Sequence, residues 1–305
     1  MTYLFGIDGG GTKTQCVIGN EKGEILGEGR GGAANYQTCG IDTTKESIEK
    51  ALNQALAQVG IEKEELEFGI IGLAGADEAS DLEILLPLCK EIFKGIEHEV
   101  VNDTWIGLRS ASPFGVISIC GTGGAHAAMN PRGDQAILRN LDFILGNRGG
   151  GGEVVEKALH FSFRSEEGTY QKSELEKRMP LLFGVNSMGE VCDCIRKEGV
   201  PESIAYNIPI EVMRLAHEGD PVCKEIIEEM SRTEGEYAAS LVRKLKMEEE
   251  ELPLVLIGSL FKTKSPLMIE PYLKKVQETA KKAYCVIPEI DPVMGAFYLA
   301  LDRRR

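Results

Sequence analysis

The stretch Phe5-Gly6-Ile7-Asp8-Gly9-Gly10-Gly11-Thr12-Lys13-Thr14 decides the fold. The apolar run Tyr3, Leu4, Phe5 and Ile7 is that of a buried strand, and it ends in an acid. A second short apolar strand, Cys16–Ile18, follows, so the three glycines form the turn of a hairpin. Glycine permits positive φ there and lets the backbone come close to a ligand. Successive amide N–H groups in such a turn make a concave anion site. Thr12 and Thr14 add hydroxyls, and Lys13 adds a mobile cation. Asp8 is placed to hold the waters of a Mg²⁺ ion. Together these are the parts of a phosphate clamp. Taken alone, they are also the parts of an ordinary tight turn with an acid before it. The spacing is not that of a Walker A loop, and a strand rather than a helix follows the glycines.

Working outward, 305 residues are enough for two domains. A hydrophobic content of 43% and a charged content of 27% are those of a soluble globular protein. No apolar run is long enough for a membrane span, and the N-terminus is a strand rather than a signal peptide. The eight cysteines are scattered, several of them in apolar strands (Cys16, Cys120, Cys285), as suits reduced thiols in a cytoplasm. The net charge of −14 argues against a nucleic-acid partner. It also means that an anionic nucleotide must be held by local N–H groups and a metal rather than by bulk charge.

After the hairpin, Glu24–Gly29 reads as a third antiparallel strand and Gly31–Asn35 as a loop. A helix capped by Asp42 or Thr43 runs to about Val59. Phe68–Leu73 is a buried strand and Glu97–Val101 another strand, Glu78–Ile92 is an amphipathic helix and Trp105–Ala111 a short one. The pattern then restarts: strand Val116–Cys120, glycine turn Gly121-Thr122-Gly123-Gly124, strand His126–Met129, strand Gln135–Leu138. A second strand–glycine–strand hairpin implies duplicated domains. A mostly helical region covers Glu153 to Met247. Strand Leu254–Ile257, helix Pro266–Ala283, strand Tyr284–Ile287 and helix Asp291–Asp302 complete the chain.

The sequence D-G-G-G-T-K-T on an N-terminal hairpin resembles the first phosphate loop of the sugar-kinase/heat-shock ATPase/actin superfamily. Within it the match is to the N-acetylglucosamine kinase-like branch of the BadF/BadG/BcrA/BcrD ATPase family. The resemblance covers almost the whole chain in order. It implies an α/β fold of two ribonuclease H-like lobes with an interlobe cleft: residues 1–112 with the helix 292–305, and residues 113–291 with a helical insertion. It also implies a cytoplasmic homodimer that uses ATP and Mg²⁺ to phosphorylate an amino sugar. Gly10, Gly11, Thr12 and Lys13 would hold phosphate, with the metal placed by Asp8.

The remaining motifs each carry a bland alternative. Asp103, after an apolar strand, is either a helix N-cap or, as Asn-Asp is in the resembled kinases, the base that orients and deprotonates the acceptor hydroxyl. Gly121, Thr122 and Gly123 form a second phosphate loop by the same resemblance, with Thr122 also near the sugar. Gly258-Ser259 is an ordinary strand-to-helix turn or, by resemblance, the adenosine segment. Asn35 is a loop residue tolerating the left-handed region or a reader of sugar hydroxyls. The family commonly reads L-G-D-E-G-S-G where this chain has Leu145-Gly146-Asn147-Arg148-Gly149-Gly150-Gly151. Gly146 and Asn147 fall at its sugar-binding positions, and the acid pair has become an amide and a cation. That substitution suits an acidic or amide-bearing sugar at least as well as a plain hexose. Cys192-x-Cys194 lacks zinc spacing and lies in a helical pattern, which makes it core. The charged face of the helices from Ile208 to Leu245 is solvent-facing or a dimer surface. Two rivals come from other classes. One is an ATPase activator of a radical dehydratase, whose cluster cysteine has no counterpart in Gly146–Gly152. The other is a non-catalytic sugar sensor that has kept the fold.

Overall fold

β1 (Tyr3–Gly9) and β2 (Thr14–Asn20) pair antiparallel from Tyr3↔Asn20 to Gly9↔Thr14, so the glycine run is a hairpin turn. β3 (Ile25–Gly31) extends this meander. On the other side of β1, β4 (Leu66–Leu73) and β5 (Glu97–Asn102) add in parallel, giving the order β3-β2-β1-β4-β5. Helices α1 (Tyr36–Cys39), α2 (Ile41–Val59), α3 (Ala79–Ile92) and α4 (Asp103–Arg109) connect or follow these strands. The computed structural model describes residues 1–139 and 148–304.

The second sheet contains β6 (Gly115–Cys120), β7 (Gly124–Met129), β8 (Gln135–Ile137), β9 (Pro253–Ile257) and β10 (Tyr284–Val286). Its order, β8-β7-β6-β9-β10, repeats the winding of the first sheet strand for strand. Among the described residues, five helices lie between β8 and β9: α5 (Gly150–Glu166), α6 (Leu175–Phe183), α7 (Met188–Glu198), α8 (Glu202–Glu218) and α9 (Pro221–Leu245). The short α10 (Ser259–Lys262) and α11 (Pro266–Gln277) precede β10, and α12 (Pro292–Arg303) ends the chain. The chain forms two compact units: Met1–Ile117 with Ala127–Gln135 and Val286–Arg305, and Ser118–His126 with Ala136–Cys285.

In the first unit the period-2 alternation of β1 feeds two cores. Phe5 and Ile7 join Cys16, Ile18, Ile48, Leu52, Leu85 and Phe93 on one face of the sheet. Leu4 joins Val17, Phe68, Ile70, Ile106, Ala296 and Phe297 on the other. Helices α2 and α3 therefore cover one face while α4 and α12 cover the opposite one. Close approach is set by small residues. Gly27, Gly29 and Gly31 alternate along β3 and lie against Ala55, Ala51 and Ser47 of α2, so a two-residue strand period meshes with a four-residue helix period. A Cβ on Gly29 would run into the Ala51 carbonyl. Likewise Gly295 of α12 leaves no room for a Cβ against the Ile106 carbonyl of α4.

Differences from the sequence reading include β3, which runs on to Gly31, the ends of α4 and α11, and the short α1. α4 begins at Asp103 rather than Trp105, because Asn102 supplies the cap. α11 ends at Gln277, leaving the chain six residues in which to reverse and bond Tyr284 N–H to the Leu252 carbonyl at 3.0 Å. The one-turn α1 carries no periodicity that a sequence could show.

Candidate active site

The first glycine loop is held by its own backbone. Gly10 N–H donates to Lys13 O at 2.9 Å, while Ala34 N–H bonds Gly10 O and Ala74 N–H bonds Gly9 O, each at 2.9 Å. The buried Thr14 hydroxyl donates to Gly32 O at 2.8 Å. Gly10 and Thr14 thus spend within the fold the donors that the sequence offered to a phosphate. Gly11, Thr12 and Lys13 are the exposed part of the turn. Lys13 Nζ donates to Gln15 Oε1 at 2.5 Å and lies 3.8 Å from Asp291 Oδ1, and Gln15 Nε2 donates to Asp291 Oδ2 at 2.9 Å. Asp291, at the head of α12, therefore belongs to this cluster.

Asp8, near the end of β1, has its pKa raised to about 7. Burial is the main cause, the neighbouring Asp103 and Asp291 add to it, and Lys13 opposes. Asp103 is raised to about 6, again first by burial and then by Asp77, while the backbone N–H groups of Thr104 and Asp103 pull it down. The capping alternative for Asp103 passes to its neighbour. Asn102 Oδ1 accepts Thr104 N–H at 2.9 Å and is also bonded by the Thr104 hydroxyl. Asp103 follows at the first helical position, its carboxyl facing the backbone N–H groups of Thr104 and Asp103.

Asn35 has φ −85° and ψ 102°, so it is not left-handed; its Oδ1 caps α1 by accepting Gln37 N–H at 3.1 Å. Its loop is tied to that of Asp103 through residues the sequence reading missed. Buried Asp81 accepts Asp77 N–H at 3.0 Å, Glu78 N–H at 2.7 Å, Gln37 Nε2 at 3.1 Å and the Tyr36 hydroxyl. Asp77 Oδ1 in turn accepts Asn102 Nδ2 at 2.8 Å. One chain of hydrogen bonds thus runs from the Asn35 loop to the head of α4. The available signal was the pair Asp77 and Asp81, four apart, just after the buried strand β4.

In the second unit Gly121 N–H bonds Gly123 O at 3.0 Å, and Thr122 and Gly123 are exposed. Gly258 has φ +110°, and a Cβ there would collide with the Cys120 backbone, so the Gly258-Ser259 turn sits beside the glycine loop. The helix it opens, α10, has only four residues, too few for a substantial dipole. Gly146 and Asn147 lie outside the described residues. Arg148 is exposed, and its backbone N–H donates to the Tyr237 hydroxyl at 2.9 Å. The solvent reading of α9 holds only for part of that helix, because Glu234 is fully buried. The signal lay in its neighbours: Ser231, Gly235 and Ala238 are small, as on a packed face. Cys192 and Cys194 are half-buried free thiols on α7.

Among the described residues, no group of three or more His, Cys, Asp and Glu side chains converges on a metal site. No described helix is long and apolar enough to cross a membrane.

Two sheets of identical winding, each opening on a glycine hairpin, define the actin-like ATPase and sugar-kinase fold. The model of the BadF/BadG/BcrA/BcrD ATPase family matches residues 5–300, and the chain belongs to that family. It is 26% identical over 318 residues to an N-acetyl-D-glucosamine kinase of Dictyostelium discoideum, covering 99% of this chain and 98% of that one. It is also 26% identical over 302 residues to an N-acetylmuramic acid/N-acetylglucosamine kinase of Clostridium acetobutylicum, covering 98% of each. A Chromobacterium violaceum structure provisionally assigned as an N-acetylglucosamine kinase superposes with a TM-score of 0.71 at 21% identity, covering 98% of this chain and 99% of that one. A ROK family glucokinase from Streptomyces griseus, in complex with glucose and AMPPNP, superposes with a TM-score of 0.60 at 19% identity, covering 99% and 100%.

Proposed function

We propose that the protein is an ATP-dependent amino-sugar kinase that transfers the γ-phosphoryl group to a hydroxyl of N-acetylglucosamine or a close relative, N-acetylmuramic acid or glucosamine. The observation that carries this reading is Asp103: a carboxyl at the first helical position after the cap Asn102, raised to about 6, and set beside Asp8 in the unit that bears the first glycine loop. As the sugar oxygen attacks the γ-phosphorus, Asp103 takes its proton, and the bond from that phosphorus to the ADP oxygen breaks. Gly11, Thr12, Thr122, Gly123 and Lys13 hold phosphate oxygens, Gly258 and Ser259 border the nucleoside, and Asn35 reads sugar hydroxyls. A half-buried Asp8 with a raised pKa and acidic neighbours fits a cation held through water, which would lower that pKa again. When bound, Mg²⁺ would neutralise charge on the phosphate oxygens.

The test is ADP release with N-acetylglucosamine, N-acetylmuramic acid, glucosamine, glucose or no sugar. The reading predicts release that depends on an amino sugar. Release that ignores sugar would leave an ATPase and remove the kinase assignment. Equal turnover of all four sugars would remove any specificity role for the loop at Asn147-Arg148.

A further inference from the structure

Glu234 of α9 is buried with its side chain wholly out of solvent, and it reaches two glycine segments at once. Its Oε1 accepts Gly150 N–H at 3.1 Å, and its Oε2 lies 3.1 Å from Nε2 of buried His126 on β7. A Cβ on Gly149 would overlap Oε1, and one on Gly124 would come within 2.8 Å of it. Behind this carboxylate, His126 Nδ1 meets Ser118 Oγ at 2.9 Å, and Ser118 Oγ meets the Tyr272 hydroxyl at 2.8 Å. A second buried carboxylate, Glu153, accepts Gly149 N–H at 2.6 Å and pairs with Lys157 at 2.7 Å.

The head of α5, fixed in this way, grips the second glycine loop. Gly151 N–H donates to Gly121 O and Gly152 N–H to Thr122 O, each at 2.8 Å. In a planar trans peptide the N–H points opposite to the C=O. With the carbonyls of Gly121 and Thr122 turned toward α5, the next N–H groups, those of Thr122 and Gly123, point away from it. Two consecutive outward N–H groups are an anion nest.

We propose that Glu234, seconded by Glu153, is a positioning residue for that nest, holding the Thr122 and Gly123 amides ready for the nucleotide's phosphates. This rests on the kinase reading above. Glu234 acts through the α5 head and touches no phosphate. Its amide analogue keeps the acceptor that Gly150 needs, whereas an apolar side chain of similar size does not.

Titration calorimetry with ATP on wild type, Glu234→Gln and Glu234→Leu tests this. Expected are Glu234→Gln within about threefold of wild type and Glu234→Leu weaker by about tenfold or more. A folded Glu234→Leu that binds ATP as wild type does would overturn the proposal, as would a Gln variant that loses as much as the Leu variant. The pair Glu153→Gln and Glu153→Leu puts the same question to Gly149 N–H. Hydrogen exchange on the wild type needs no variant: the amides of Thr122 and Gly123 should exchange fast without nucleotide and slow at saturating ATP. No protection there, in a protein that does bind ATP, overturns the assignment of the nest. A wild type that binds no ATP counts against the kinase reading itself.

Discussion

The carboxyl of Asp103 stays partly protonated near neutrality because burial and the Asp77 charge both disfavour its anion. A base works only when deprotonated, so kcat/KM should fall on the acid side with an apparent pKa near the value of about 6. Asp77→Asn keeps an oxygen for Asn102 but removes the charge, so that acid limb should move to lower pH; an unmoved limb would remove Asp77 from the site. Asp8 has a consequence for stability as well. Its folded pKa, about 7, lies above its ordinary 3.8, so the folded state favours the protonated form. The stability it lends is fully present below the ordinary value and is lost as pH rises through 7. Asp8→Asn should therefore raise the Tm of the nucleotide-free protein more at about pH 8 than at about pH 5. An equal effect at both would mean that Asp8 ionises as it does in water. Asp8 and Asp103 were legible in the sequence because each follows an apolar run. Asp77, Asp81 and Glu234 were not, since their roles rest on partners 25 or more residues away in the chain.

At the scale of elements, β3 meets α2 through glycines that tolerate nothing larger. Gly29→Val would force a branched side chain into the Ala51 carbonyl, and overpacking of this kind costs typically about 1–3 kcal/mol. Chemical denaturation should show a loss in that range or beyond it. A variant as stable as wild type would mean that α2 stands off the sheet. The sequence showed this strand only as far as Gly29 and read Gly31 as loop, whereas β3 runs to Gly31. The purpose of its glycines was not legible, because close packing depends on the register of Ser47, Ala51 and Ala55 across a loop. For the same reason the ends of α4 and α11 moved: a cap and a return strand set them, and hydrophobic spacing records neither.

Over the whole molecule, the duplication was the most legible feature. Two strand–glycine–strand hairpins more than a hundred residues apart anticipated two sheets of one winding. The net charge of −14 already required that a polyanion be held locally rather than by bulk charge. On the kinase reading proposed above, the glycine loops, Lys13 and a cation near Asp8 would supply that local hold. The kinase account also requires the phosphoryl group to end on carbon-bound oxygen rather than on water, and phosphorus NMR distinguishes the two directly. With ATP, Mg²⁺ and N-acetylglucosamine, the wild type should convert the γ-phosphate signal into that of a sugar phosphomonoester, and Asp103→Asn should do so about 10²–10⁴-fold more slowly while still binding ATP. Inorganic phosphate as the product, or an Asp103→Asn variant as fast as wild type, would contradict the account.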